Sequence, residues 1–159
     1  MAGPRRRARE VALQILVHSD VNPETEGPRA TRLYWDHLAD GANADDGDDG
    51  DEGARQAPVD RALIDELVSG VAKHRQELDT LVQDLSRNWR LERMALVERN
   101  IIRLALYELK YAPTVPTNVV LNEAVELAKR FGTSEGAAFV NGLLDRAANE
   151  LQLRPMPTR

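Results

Sequence analysis

Residues 97–111, VERNIIRLALYELKY, constrain the fold more than any other stretch of the chain. Ile101, Ile102, Leu104, Ala105, Leu106 and Leu109 recur at three-, four- and seven-residue intervals and also fill the positions between. The apolar arc therefore covers most of the circumference of a helix, which makes the helix central rather than superficial. Fully burying one Leu side chain is worth roughly 1.5–3 kcal/mol, so amphipathic neighbours must pack around it. Glu98, Arg99, Arg103, Glu108 and Lys110 lie mostly toward its ends, and the pair Glu98 and Arg103 reads as solvating the helix mouth.

The rest of the chain supplies those neighbours. Ala8, Val11, Ala12, Ile15 and Leu16 follow helical spacing after Pro4, and a loop with Asn22, Pro23, Gly27 and Pro28 ends that helix. A second helix is expected from Pro28 to about His37, with Leu33, Tyr34, Trp35 and Leu38 as its buried edge. From Val59, Leu63, Leu67 and Val71 form one stripe, capped by Asp60, and Leu78, Leu81, Val82 and Leu85 form another. Gly70 and the polar run from Lys73 to Glu77 allow a bend or a break between the two. SRNWRLERM reads as a turn, with Trp89 as a packing anchor. After the central helix, APTVPT stops the pattern, and Thr117 is placed to cap a helix with Val120, Ala124, Leu127, Ala128 and Phe131 inward. Gly132 is expected as the left-handed residue past its end. Ser134 is expected to cap a last helix that buries Val140, Leu143, Leu144, Ala147 and Leu151.

These patterns make an all-α domain over residues 1–154, with six to seven helices and a frayed tail at 155–159. A chain of 159 residues with 42% hydrophobic and 4% aromatic content fits that class and one continuous core. A low-complexity acidic loop, residues 40–57, interrupts the helices and reads as disordered. It lacks the closing Glu and flanking helices of a calcium loop, and no metal site is expected. With no cysteine, no membrane-length apolar run and no signal-peptide pattern, the chain reads as cytoplasmic.

The net charge of −5 argues superficially against a nucleic-acid partner. Seven of the acidic residues fall between Asp40 and Gly53, however, and without them 21 basic residues face 19 acidic ones. Arg5, Arg6, Arg7 and Arg9 gather at the start of the first helix, where the helix macrodipole disfavours positive charge. An anionic partner explains that placement, although a solvated basic tail is the plainer alternative. His18, His37 and His74 are scattered, no glycine-rich loop follows a strand, and no carboxylate sits in an apolar run that would tune it for acid or base work. The chain is not expected to be an enzyme, nor to need a cofactor.

Taken together, RRRAREVALQIL at the start, VERNIIRLALYEL in the centre and VVLNEAVELAKRFGTSEGAAFVNGLLD near the end resemble the NusB family of transcription antitermination factors. The resemblance implies a seven-helix fold of two small packed bundles. It also implies binding of the boxA element of nascent ribosomal RNA, as a heterodimer with the ribosomal protein NusE, in a complex with other Nus factors on RNA polymerase. Some members form homodimers that cover the RNA surface, so a second copy of the chain is a further implied partner. Matched to the family motifs, Arg5, Arg6, Arg7 and Arg9 would face RNA, with Glu135 and Phe139 as a second RNA-facing region and Glu98 at the NusE interface. Some relatives carry a lysine where this chain has Ala138, and an aromatic where it has Val17. Two other readings stand beside this one. One is a helical adaptor that binds protein only, and the other is a stand-alone relative of the N-terminal domain of ribosomal RNA cytosine methyltransferases.

Overall fold

The computed structural model describes residues 3–42 (side chains through residue 37), 60–86 and 93–151. Among these residues it contains seven α-helices, one short 3-10 turn and no strand, so the all-α class holds. No helix among them is long and apolar enough to cross a membrane. The acidic residues 43–57, Trp89 and the tail at 155–159 lie outside the described residues. The chain divides into two compact units at Ser69 and Gly70.

In the first unit, α1 (Pro4–Val21) starts with Pro at its first position after Gly3 and has no acidic residue in its first turn. Proline suits that position because its missing N–H would have no helical partner there. Ala8, Ala12, Ile15 and Leu16 are buried as their spacing implies, while Val11 is only half-buried and Leu13 joins the buried face in addition. The helix ends in a set of local hydrogen bonds. The Asn22 N–H donates to Ser19 O at 3.2 Å, Asn22 Nδ2 to His18 O at 3.0 Å, and the Ser19 hydroxyl to Thr25 O at 3.3 Å. A 3-10 turn (Pro23–Thr25) leads to Gly27, whose φ of 71° is open to glycine at little cost and redirects the chain into α2 (Pro28–Ala42). The second helix thus runs past the expected end near His37. Asp60 caps α3 (Arg61–Lys73) as expected, its Oδ1 accepting the Leu63 N–H at 3.0 Å.

The second unit begins with the last turn of α3. His74 separates it from α4 (Arg75–Ser86), and α5 (Leu96–Tyr111), α6 (Thr117–Phe131) and α7 (Ser134–Glu150) follow. The helix α5 packs against α4, α6 and α7, and every residue from Asn100 to Leu109 is buried. The central helix of the sequence is the central helix of this unit.

Its polar residues do not behave as expected. Glu98 and Arg103 are only 6% and 3% exposed, so neither solvates a helix mouth. Arg103 instead grips Asp79 on α4 with two parallel bonds, Nε to Oδ1 at 2.6 Å and Nη2 to Oδ2 at 3.0 Å. Its Nη1 donates to Asn100 Oδ1 at 3.3 Å, and Asn100 returns its own amide to Leu96 O at 2.8 Å. A buried guanidinium is tolerable only when its donors are satisfied in this way.

At the other end of α5, the Tyr107 ring occupies the place where a Cβ on Gly70 would stand, 2.2 Å from it. Tyr111 stacks on His74 with centroids 4.1 Å apart, and its hydroxyl donates to Glu77 at 2.6 Å while Lys110 pairs with the other carboxylate oxygen. The break between α3 and α4 is therefore clasped by side chains from α5.

Three further expectations shift. Phe131 is 37% exposed rather than inward, with the Arg130 guanidinium 5.2 Å from its ring. Gly132 is not left-handed, having φ −114° and ψ −148°, and Thr117 is the first residue of α6, whose cap position is Pro116. The cap of α7 is Thr133 rather than Ser134, its Oγ1 accepting the Gly136 N–H at 2.9 Å.

Candidate nucleic-acid interface

The arginines named from the sequence separate into exposed and buried members. α1 turns them about its axis by roughly 100° per residue, so four neighbours cannot share one face. Arg5 and Arg6 are exposed, Arg7 is half-buried, and Arg9 is 4% exposed and engaged within the protein. Arg9 thus departs from the expectation of an RNA-facing side chain, because its position falls beside Ala8, Ala12 and Leu13 on the buried side of α1. With no carboxylate in the first turn of α1, the field at that end of the helix is positive.

In the second unit Glu98, Glu135 and Phe139 come together around one concavity of about 240 Å³. The segment leading into α5 contributes Arg93, Met94 and Ala95, the first turn of α5 contributes Glu98, and the start of α7 contributes Thr133, Glu135, Gly136 and Phe139. Glu98 sits in the first helical turn, where a carboxylate is favoured by the helix dipole. Its Oε1 accepts the Thr133 N–H across a long 3.4 Å, which ties the start of α5 to the cap of α7. Glu135 is exposed and Phe139 is half-buried, in keeping with the partly exposed ring expected from its offset from Val140. Ala138 is exposed beside them and offers no charge.

Chemically, the concavity combines an aromatic face, a thioether, a guanidinium and two carboxylates. An aromatic face can stack an unpaired base, carboxylates accept from exocyclic amino groups, and an exposed arginine such as Arg93 holds a phosphate. A carboxylate as buried as Glu98 with one long hydrogen bond is also a place for a cationic or N–H donor of a protein partner. Sequence reasoning missed Arg93, Met94 and Thr133. Arg93 and Met94 precede the first helical residue, Leu96, so no helical periodicity marks them, and Thr133 enters through contacts made 35 positions away in sequence.

Comparison with known proteins covers nearly all of this architecture. The model of the NusB family matches residues 6–149. The transcription antitermination protein NusB of Myxococcus xanthus is 45% identical over 146 residues, spanning 92% of this chain and 95% of that protein. The protein of the same name from Geobacter sulfurreducens is 41% identical over 149 residues, spanning 94% and 96%. Among solved structures, T. maritima NusB superposes with a TM-score of 0.72 at 29% identity, covering 94% of each chain.

Proposed function

The chain belongs to the NusB family, and on that premise we propose that it is a non-catalytic antitermination factor that binds boxA RNA together with NusE. The observation that carries this reading is the convergence of Glu98, Glu135 and Phe139 on one concavity, although 37 positions or more separate Glu98 from the other two. Arg5, Arg6 and Arg7 hold phosphates, Phe139 stacks a base with Glu135 and Arg93 at its edge, and Glu98 receives a donor from NusE. Arg9 serves the packing of α1. Other Nus factors and RNA polymerase are then reached through the RNA and NusE. The matches to antitermination proteins over nearly the whole chain favour this reading over a relative of a methyltransferase domain.

The test is a titration of boxA RNA and a scrambled RNA, with and without NusE, using wild type, Arg5/Arg6/Arg7→Ala and Glu98→Gln. Three arginines on single-stranded RNA give a log-log salt slope near −2, or about twentyfold weaker binding between 50 and 200 mM salt. The triple variant should lose that slope, and Glu98→Gln should weaken NusE while leaving RNA binding by the isolated protein intact. Equal affinity for both RNAs with NusE present would overturn the reading.

A further inference from the structure

Phe131 closes α6 with its ring turned partly to solvent, 37% exposed, where the apolar stripe of the helix would have placed it inward. The Arg130 guanidinium lies 5.2 Å from the ring centroid, within the range at which a cation is held over an aromatic face. Lys129 is exposed one residue further back and pairs with Glu126 at 3.7 Å. The dipole of α6 favours both cations in its last turn, but it gives no reason for an apolar ring at the exposed end.

The ring also stands beside the concavity. Gly132 follows it directly, and a Cβ there would lie 2.6 Å from Glu98 Oε1, the atom that a Cβ on Gly136 would approach to 2.1 Å. Both glycines therefore abut one carboxylate oxygen, and the end of α6 meets the first turn of α7 at Glu98. Thr133, which lines the concavity with Phe139, is two residues from Phe131, so their Cα atoms are at most about 7 Å apart. One strand can reach both rings.

The exposed residues on either side of Phe131 in the chain, Lys129, Arg130, Thr133 and Ser134, are polar. An apolar protein surface would bury those groups along with the ring, whereas a base covers the ring and leaves its phosphates among the cations.

We infer that Phe131 is a second stacking platform for single-stranded RNA: one base packs against its ring and the neighbouring Arg130 guanidinium, while the same strand places another base on Phe139. Successive aromatic faces beside cations suit an unpaired strand, because every base offers a π-face. The platform rests on the RNA-binding reading above, and it adds a base contact at a residue that the family motifs leave unassigned.

The experiment uses the full chain and a set of labelled boxA RNAs in which one nucleotide at a time is abasic. Anisotropy gives the affinity of wild type, Phe139→Leu, Phe131→Leu and Phe131→Trp for each. Leucine keeps an apolar side chain but has no π-face. The platform requires that Phe131→Leu bind the intact RNA at least about fivefold more weakly, the low end for loss of one base stack, and that Phe131→Trp restore the affinity. It also requires one position, different from the one reported by Phe139→Leu, at which removing the base weakens wild type but not Phe131→Leu. The melting temperature of Phe131→Leu should stay at the wild-type value. An abasic pattern unchanged by Phe131→Leu, while Phe139→Leu still loses its own position, would overturn the platform alone. So would a Phe131→Leu variant that binds NusE more weakly with RNA affinity intact, which would assign the ring to the protein partner. No binding of boxA RNA by wild type, with or without NusE, would overturn both the platform and the RNA-binding reading beneath it.

Discussion

Glu98 reaches its place because two neighbours carry no side chain. A Cβ on Gly136 would stand 2.1 Å from Glu98 Oε1, and one on Gly132 would stand 2.6 Å from the same atom and 2.9 Å from the Ala128 carbonyl. The two substitutions therefore differ in what must yield. With Gly136→Ala the Glu98 side chain must shift from its Cγ outward, but no backbone atom is among the nearest obstacles. NusE affinity should fall, and the melting temperature should fall less than for Gly132→Ala, as calorimetry of the mixed proteins and thermal melting can measure. Gly132→Ala presses on backbone as well and should lower the melting temperature. Glu77 supplies a second test at this scale. Hydrogen bonds from Lys110 and then from the Tyr111 hydroxyl hold its pKa at about 2, below the ordinary 4.5. A carboxylate depressed in the folded state stabilises fully above its unfolded pKa and loses that contribution as pH falls from 4.5 toward 2. Glu77→Gln should therefore melt below wild type at neutral pH, and the gap should close across that acid window. Because Glu77 is exposed, added salt should narrow the gap at neutral pH.

Among the elements, α5 carries the most weight. Leu104 is 2% exposed in its middle, and Leu104→Ala should cost roughly 2–5 kcal/mol of folding free energy. Denaturant unfolding measures that loss, and RNA and NusE binding should fail together in the variant at temperatures where it unfolds. An unchanged midpoint would contradict the central position of the helix. Local pattern made most of this legible. The stripes of α1, α5, α6 and α7, the cap by Asp60 and the break near His74 all follow from residues close together in sequence. What escaped was set by distant partners. The bonds of Arg103 run to Asp79, 24 positions away, so nothing nearby distinguished a buried clamp from a solvated charge. Gly132 was recognised as a helix-ending glycine for the wrong reason, because the space it leaves is taken by Glu98 and not by a left-handed turn. Ser134 is the better cap by type, yet the helix starts one residue earlier than that preference implies, with the Thr133 hydroxyl accepting the Gly136 N–H and the Thr133 N–H approaching Glu98 from 35 positions away.

For the whole molecule, the overall charge of −5 conceals a run of four arginines at the start of the first helix, of which Arg5 and Arg6 are exposed. The Arg61 guanidinium lies over the Trp35 ring. The family motifs pointed to Glu98, Glu135 and Phe139, which line one concavity, but could not reveal that Arg9 is buried or that Arg93 and Met94 complete the lining. Burial of one arginine depends on how α1 is rotated in its packing, which a run of four arginines does not encode. Antitermination through boxA and NusE, as proposed, is read out by transcription in vitro through a terminator placed downstream of boxA, with NusE and the other Nus factors present and this protein added or withheld. Adding the protein should increase readthrough, and scrambling boxA or Arg5/Arg6/Arg7→Ala should abolish the increase. Readthrough that is unchanged by the protein, or increased equally on the scrambled template, would contradict it.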